Sequence, residues 1–357
     1  MARVKSKNLF NFPLTGEAEG QVAGINAMLD QIQGSGPSLE IWNKLLELST
    51  KEDEGSAKEF VAVNRANNDG MAAIMKQVPV LSAAAAQIEK SELTVPTTHH
   101  GTYNVLVEVY TPKHLVGRSD NAAVVYAHGG GCIAGTAADS KPFLDFLAVS
   151  CNVVVFNVDY RLAPETKCPN NVMDFYEAVM HVSENAAQLG VDAGKICIFG
   201  ESGGGYVCLG AAVLLAHCEQ AHRVKLLLTG ISMVCDYSFS DPGAMMTNER
   251  RVHTIIRAMW RQIAADFDKQ RQDAMLFPGK ASDEILAKFP PTVMLEGEFD
   301  MFLTENSRFA ARLREAGKLL EFVVFPGARH ETVLFPDFRT GEVFNGTVKK
   351  VFEEYLH

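Results

Sequence analysis

No long apolar run occurs in this sequence. Nothing in it approaches the ~20 consecutive apolar residues of a membrane span. The N-terminus is basic from Met1 to Lys7, but the apolar core of a secretory signal does not follow it. Positive charge is also scarce, because 33 Lys and Arg residues face 43 Asp and Glu residues and leave a formal net charge of −10. Since nucleic acids and anionic membranes attract basic proteins, we expect neither as a partner.

Cysteine is scarce as well, and its number is odd. Seven cysteines are present, and Cys197 and Cys208 lie within the apolar patterns of a strand and a helix. This usage favours reduced, buried thiols and a cytoplasmic location over a disulfide framework. No cysteine or histidine pair has zinc-site spacing in a supporting context, and the His99-His100 pair is more typical of solvated histidines. We therefore expect no metal and no cofactor.

What the sequence does contain is a series of short apolar runs. At 357 residues, 47% of them hydrophobic, the chain suits one large globular domain with an added lid. Seven runs bounded by turn formers predict buried strands, at 103–110, 122–127, 152–158, 195–199, 225–231, 292–295 and 320–325. Because helical segments alternate with them, we predict an α/β fold with a mostly parallel central sheet and helices on both faces.

Two further segments predict helices that the sheet does not need. Residues 1–92 lack strand alternation, and apolar positions recur at helical spacing within 22–32, 41–48 and 71–78. The methionine-containing stripe at 71–78 favours simple packing over a pocket wall. Roughly 60 residues separate the strands at 225–231 and 292–295, which is too many for a plain connection. This insertion carries a second helical stripe, made of Val252, Ile256, Met259, Ile263 and Phe267.

These patterns predict a division of the chain into core and cap. The expected segments are an N-terminal helical cap segment at 1–92, a first core part at 93–235, a cap insertion at 236–285 and a second core part at 286–357. Together the two cap segments would cover the carboxyl ends of the strands, where ligands bind in open α/β sheets.

The most informative stretch is the turn that follows the strand at 195–199. It reads Gly-Glu-Ser-Gly-Gly-Gly over 200–205 and runs into an Ala- and Leu-rich segment long enough for a helix. A glycine-flanked serine between a strand and a helix predicts a nucleophile elbow, because the sharp turn leaves no room for side chains at Gly200 and Gly204. The hydroxyl of Ser202 would then stand at a helix N-terminus, whose dipole favours negative charge.

An acid and a base follow the serine in the order expected of an α/β hydrolase. Asp300 comes after the strand at 292–295 and His330 after the strand at 320–325, so all three would lie at one sheet edge. A serine hydroxyl becomes a good nucleophile when a neutral imidazole takes its proton, and a carboxylate holds that imidazole in the right tautomer. Glu296 and Glu298 are rival acids. We predict Ser202, Asp300 and His330 as the catalytic residues.

The oxyanion that forms during acyl transfer needs preorganised N–H donors. The run His128-Gly129-Gly130-Gly131 follows the strand at 122–127 and can offer two of them, because glycines let the backbone approach a substrate. Gly203, directly after the serine, offers a third.

Together these motifs resemble the hormone-sensitive-lipase family of α/β hydrolases, which includes bacterial carboxylesterases and arylacetamide deacetylases. The resemblance covers residues 128–330 and also rests on Asp-Tyr-Arg-Leu-Ala-Pro-Glu at 159–165. It implies the α/β-hydrolase fold with a helical cap and an oxyanion hole formed by Gly130, Gly131 and Gly203. It further implies that Glu201 braces the turn, that His128 orients the glycine loop, and that the Asp and Arg of 159–165 fix the loop near the elbow.

The chain also departs from the family pattern. Cys132 stands where an aromatic residue usually follows the glycine triplet, which predicts a differently shaped acyl pocket. Glu201 and Gly203 stand where the family often has Asp and Ala, and Tyr206 where it commonly has Asn. The usual Pro-Leu-x-Asp-Glu after Asp300 is replaced by Met-Phe-Leu-Thr-Glu. None of these changes removes a reacting group.

The combined prediction is a serine carboxylesterase that hydrolyses short- to medium-chain or aryl esters through an acyl-enzyme intermediate. Its expected partner is a small ester substrate, and a homodimer is one assembly open to it. An amidase or formamidase with the same triad stays open, because pocket contacts alone separate it from an esterase. A non-catalytic small-molecule receptor of the same fold is a third reading, against which the presence of His330 speaks.

Overall fold

The structure, a computed structural model, describes residues 36–75, 84–97, 103–234, 247–298, 300–326, 328, 330 and 340–357. The predicted stripe at 22–32 and the His99-His100 pair lie outside these residues. The strands are β1 (Ile88–Thr97), β2 (Tyr103–Pro112), β3 (Asn121–Ala127), β4 (Val154–Val158), β5 (Val191–Glu201), β6 (Leu226–Gly230), β7 (Thr292–Gly297) and β8 (Leu319–Phe325). The α-helices of the described ranges are α1 (Gly36–Ser49), α2 (Glu54–Met75), α3 (Lys141–Cys151), α4 (Asn170–Glu184), α5 (Gly203–His217), α6 (Thr247–Ile263), α7 (Asp283–Leu286), α8 (Leu303–Glu315) and α9 (Thr340–Tyr355).

The strands form one sheet in the order β1-β2-β4-β3-β5-β6-β7-β8. β2 pairs antiparallel with both β1 and β4, whereas every pairing from β4 to β8 is parallel. Every residue of β3, β4 and β6 is buried, which is why these strands are visible in the sequence as continuous apolar runs. The predicted mostly parallel sheet is confirmed.

An apolar core lies on each face of the sheet. Successive side chains of a strand point to opposite faces, and along β3 Ala123 and Val125 contact a core shared with α4, α5 and α8. Val124 and Tyr126 contact the other core, shared with α3 and α9. Helices therefore cover both faces, as predicted.

The first strand corrects the sequence-based prediction. β1 begins at Ile88, so residues 1–92 do contain strand structure, and the boundary predicted at 92/93 lies inside a strand. β1 is an edge strand and exposes Glu89, Lys90 and Glu92. Charged residues are typical of edge strands, and here they interrupt the apolar run by which the inner strands were recognised.

Three helices from the two predicted cap segments lie close together. α1 packs against both α2 and α6, and Leu45, Phe60 and Ile256 are buried members of one core cluster. α6 ends at Ile263, so Phe267, predicted as the last residue of its helical stripe, lies beyond the helix. The side chain of Asp266 accepts the backbone N–H of Lys269 at 3.2 Å and starts a turn at that point.

The helix α6 is also anchored to the main core. Trp260 is fully buried and packs edge-on against Tyr206 of α5, with ring centroids 5.0 Å apart.

Within the described ranges, no helix combines the length and the apolar character needed to cross a bilayer. The six cysteines that the structure describes are free thiols, and five of them are buried.

Candidate active site

Ser202 occupies the turn between β5 and α5. Its backbone has φ +54° and ψ −118°, a conformation that residues other than glycine rarely adopt. The Ser202 N–H donates to the Gly230 carbonyl of the neighbouring β6 at 2.9 Å, which holds the turn in place. A Cβ atom at Gly204 would collide with the Ala127 carbonyl, and one at Gly200 with the Gly204 carbonyl. This geometry is that of a nucleophile elbow, with the serine raised above the sheet.

One hydrogen-bonded chain connects the serine to a histidine and an aspartate. Ser202 Oγ lies 2.9 Å from His330 Nε2, and His330 Nδ1 lies 2.8 Å from Asp300 Oδ2. The Asp300 side chain is fully buried, and its second oxygen accepts the Phe302 backbone N–H at 2.7 Å. Since a carboxylate only accepts, a neutral His330 carries its proton on Nδ1 and leaves Nε2 free to take the serine proton.

The two rival acids are placed differently. Glu298 is exposed. Glu296 is buried and accepts a hydrogen bond from the Asn306 side-chain amide. Burial, followed by the negative charge of Asp300, raises the pKa of Glu296 well above its usual value. Asp300 lies within hydrogen-bond distance of His330 Nδ1, whereas the hydrogen bond of Glu296 is with Asn306, so the geometry favours Asp300.

The glycine loop after β3 is shaped by its own hydrogen bonds. Gly130 and Gly131 have φ values of +102° and +60°, which glycine adopts without strain. The Gly130 carbonyl accepts the N–H groups of Ile133 and Ala134 at 3.2 and 3.0 Å. In a planar trans peptide the C=O and the next N–H point in opposite directions, so this contact turns the Gly131 N–H away from Ile133 and Ala134.

The preceding peptide unit is held by His128. Its Nδ1 lies 2.7 Å from the Gly129 carbonyl, so Nδ1 carries the proton and donates. Burial lowers the pKa of His128, and its ring stacks on Tyr160 with centroids 4.5 Å apart. Because the Gly129 carbonyl is fixed, the Gly130 N–H is fixed as well. The loop therefore carries two consecutive N–H groups of defined direction, and it borders the same cavity as Ser202.

Glu201 connects the elbow to the start of this loop. Its Oε1 accepts the Gly129 N–H at 3.1 Å and the Tyr126 hydroxyl at 2.5 Å. Burial raises the pKa of Glu201 to about 8, so the carboxyl is largely neutral at pH 7. This bracing contact is what the family resemblance implies for the residue.

In the segment 159–165, the Asp and Arg to which the resemblance gives a structural role are joined by a tyrosine to which sequence reasoning gave none. Arg161 pairs with Asp174 of α4 at 2.7 Å, and Asp159 accepts the Ala137 N–H at 3.2 Å. The contact with the glycine loop comes from Tyr160, whose hydroxyl donates to the His128 carbonyl at 2.6 Å. The aromatic residue at the centre of the motif is a signal that could have been used.

A cavity of about 280 Å³ opens above Ser202. Trp42 and Leu45 of α1 line it, as do Met71 of α2 and Met259 of α6. The expectation that the stripe at 71–78 serves mainly for packing is therefore wrong for Met71. The wall formed by α2 also carries three carboxamides, which belong to Asn64, Asn67 and Asn68. The cavity thus combines flexible apolar side chains with hydrogen-bonding groups.

Within the residues that the structure describes, no cluster of three or more His, Cys, Asp or Glu side chains could hold a metal ion.

Comparison with known proteins gives one consistent group of relatives. A family profile described as α/β-hydrolase fold matches residues 124–334. The carboxylesterase NlhH of Mycobacterium tuberculosis is 31% identical over 241 residues, which are 66% of this chain and 74% of that protein. A shorter match, 34% identical over 103 residues, joins 29% of this chain to 13% of mouse hormone-sensitive lipase. The structure of a bacterial heroin esterase superposes with a TM-score of 0.70 at 26% identity, over 82% of this chain and 91% of that one.

Proposed function

Because this chain belongs to the α/β hydrolases, in the family of hormone-sensitive lipase, we propose that it is a serine carboxylesterase whose catalytic residues are Ser202, Asp300 and His330. The observation that carries the proposal is the hydrogen-bonded chain from Ser202 Oγ through His330 to Asp300, at 2.9 and 2.8 Å. A nucleophile, a base and an orienting acid within hydrogen-bond reach are what covalent ester hydrolysis requires.

The reaction follows from this geometry. Ser202 Oγ attacks the ester carbonyl carbon while His330 Nε2 takes the hydroxyl proton, and Asp300 stabilises the resulting imidazolium. The carbonyl oxygen becomes an oxyanion, for which Gly130, Gly131 and Gly203 supply backbone N–H donors. His330 returns the proton to the departing alcohol. Water then attacks the acyl carbonyl carbon while His330 Nε2 takes its proton. His330 gives that proton to Ser202 Oγ, which releases the acid and regenerates the enzyme.

The cavity supports small esters as substrates. About 280 Å³ lies just below the range of roughly 300–1,000 Å³ usual for small-molecule pockets, so short- to medium-chain acyl groups or an aryl group are the substrates in keeping with it. Methionines such as Met71 and Met259 adapt their shape to different occupants. The cavity also supports the proposed division into core and cap segments. The helices α1, α2 and α6 come from the two predicted cap segments, and they form the wall of the cavity that faces Ser202.

Two broader expectations also remain proposals. The six described cysteines are free and five of them are buried, which supports a cytoplasmic location. A homodimer stays open, and the molecular mass in solution would test it.

The decisive test uses Ser202→Ala with a panel of p-nitrophenyl esters of graded chain length. Wild type should show burst kinetics and should react with a fluorophosphonate at Ser202 alone. The variant should lose the burst and keep only the modest rate that binding and the oxyanion hole supply. Near-full turnover by the variant would exclude the serine mechanism. Faster turnover of the matched anilide would favour the amidase alternative, and absence of turnover with either compound would favour the receptor.

A further inference from the structure

Arg65 in α2 reaches the outer side of the glycine loop. Its Nε donates to the Ile133 carbonyl at 2.9 Å, and one terminal nitrogen donates to the Ala163 carbonyl at 3.3 Å. The two terminal nitrogens also hold both oxygens of Glu165, at 2.9 and 2.7 Å. One guanidinium therefore ties the helix α2 to two separate loops of the hydrolase core.

The contact with Ile133 is connected to the proposed oxyanion hole through two peptide units. The Ile133 carbonyl shares a planar unit with the Ala134 N–H, which donates to the Gly130 carbonyl at 3.0 Å. The Gly130 carbonyl in turn shares a unit with the Gly131 N–H. When Arg65 holds the Ile133 carbonyl, rotation of the Ile133–Ala134 peptide unit is restricted. This unit in turn holds the Gly130–Gly131 unit, whose Gly131 N–H is directed away from Ala134.

The segment 159–165 supports the same loop from a second side. The Ala163 N–H donates to the Cys132 carbonyl at 2.8 Å, and Arg65 binds the Ala163 carbonyl on the other side of that residue. Glu165, which the proposed chemistry does not otherwise use, fixes the guanidinium in the orientation that these contacts need. Bidentate pairing suits this task, because it sets the plane of the guanidinium as well as its position.

We propose that Arg65 is a positioning residue for the oxyanion hole, which holds the Gly130–Gly131 peptide unit through Ile133 and Ala134. The inference rests on the proposed esterase function. It gives the helix α2 a second role besides forming the cavity wall, because the seating of this helix on the core then controls the direction of the Gly131 N–H. Glu165 completes the device by orienting Arg65.

Charge has a smaller part than geometry in this proposal. Hydrogen bonds in a chain polarise one another, so a cation on the Ile133 carbonyl strengthens the donors that follow. Glu165 pairs with the guanidinium and opposes that charge. The pair is also partly exposed, at 38% for Arg65 and 62% for Glu165, and exposed ion pairs contribute little to folding stability. Substitution of Arg65 should therefore affect the loop more than the fold.

The test compares Arg65→Met with Lys58→Met. Lys58 lies in the same helix and pairs with Glu54, but both side chains are more than 70% exposed and the pair is local. Because the loss of an oxyanion donor costs 10²–10³ in kcat, we expect loosening of one donor to lower kcat by about 10- to 30-fold. KM for p-nitrophenyl acetate should stay within about twofold, and Ki for a trifluoromethyl ketone should rise by the same factor as kcat falls. Lys58→Met should match wild type.

The outcomes separate positioning from simple attachment of the helix. If Arg65 only attaches α2 to the core, Arg65→Met should raise KM for longer esters. It should leave kcat for p-nitrophenyl acetate and Ki for the trifluoromethyl ketone unchanged. That result would overturn the proposal. So would a fall in kcat that is fully accounted for by a smaller fraction of enzyme reacting with fluorophosphonate. If Arg65→Met does not fold, the same kcat and Ki measurements are made on Arg65→Lys. Lysine keeps the charge but lacks the planar fork that reaches Ile133 and Glu165 together, so the same fall in kcat is expected and its absence would overturn the proposal. Lack of ester turnover by wild type would refute the proposed function instead.

Discussion

Gly203 provides the sharpest test of how closely the glycine loop approaches the nucleophile. The related family often has Ala at this position, yet a Cβ atom here would lie 2.6 Å from the Gly131 nitrogen and 2.8 Å from the Cys132 nitrogen. Both neighbours are backbone atoms, which cannot rotate away as a side chain can. To reach an ordinary contact of about 3.4 Å, the loop would have to move by roughly 0.6–0.8 Å.

We expect Gly203→Ala to lower kcat by about 100-fold, since a misplacement near 1 Å and the loss of an oxyanion donor each cost about that much. The hydrogen-bonded chain of Ser202, His330 and Asp300 is not touched by the change, so fluorophosphonate should still label the serine. Ala is favoured over Gly in helices, which offsets part of the steric cost to stability. The measurement is kcat with p-nitrophenyl acetate, corrected for the labelled fraction.

Gly210→Ala is the matched control in the same helix. A Cβ atom there would meet the Val172 methyl groups at 2.8 and 2.9 Å, far from the glycine loop. It should lower Tm and leave kcat within about twofold, because overpacking a core destabilises without moving the site. If Gly203→Ala keeps wild-type kcat, the loop does not depend on this close approach and the reasoning is refuted.

Three further substitutions test other parts of the site. Asp300→Asn should lower kcat by about 10⁴-fold, measured by single turnover, because it leaves His330 in the wrong tautomer. Glu201→Gln should keep kcat at pH 7, since the carboxyl is already largely neutral there, and should flatten the pH dependence of the free energy of unfolding. In wild type this free energy should fall as pH rises from about 4.5 towards 8, because the folded protein retains a proton that the unfolded chain has lost. Met71→Trp should shift preference towards shorter acyl chains in the ester panel, because it reduces the cavity.

Each of these has a clear contrary result. An Asp300→Asn variant with near wild-type kcat would assign the orienting role to another carboxyl group. Urea unfolding between pH 5 and 8 that is identical for wild type and Glu201→Gln would mean that Glu201 is ionised in the folded protein. An unchanged chain-length profile for Met71→Trp would remove α2 from the acyl-binding wall.

The sequence by itself determined the elements that local pattern can encode. The inner strands are continuous apolar runs because both of their faces are buried, and Ser202 and Asp300 could be proposed because they follow two of these strands. His330 could be proposed because β8 is also an apolar run, although it is an edge strand and only partly buried. Charged residues concealed β1 for the converse reason, since an edge strand has little apolar surface to bury. Met71 belongs to an apolar stripe in the sequence, but such a stripe does not reveal whether a cavity or another helix lies beside it.

Only the tertiary structure decided which distant groups meet. Arg65 reaches Ile133 and Glu165 across 68 and 100 positions of sequence, and no local pattern records such a contact. The same holds for the choice between Asp300 and Glu296, which are four positions apart but differ in what surrounds them. The direction of a peptide N–H depends on the partner of the neighbouring carbonyl, and that partner is fixed by how the chain packs rather than by which residues are adjacent.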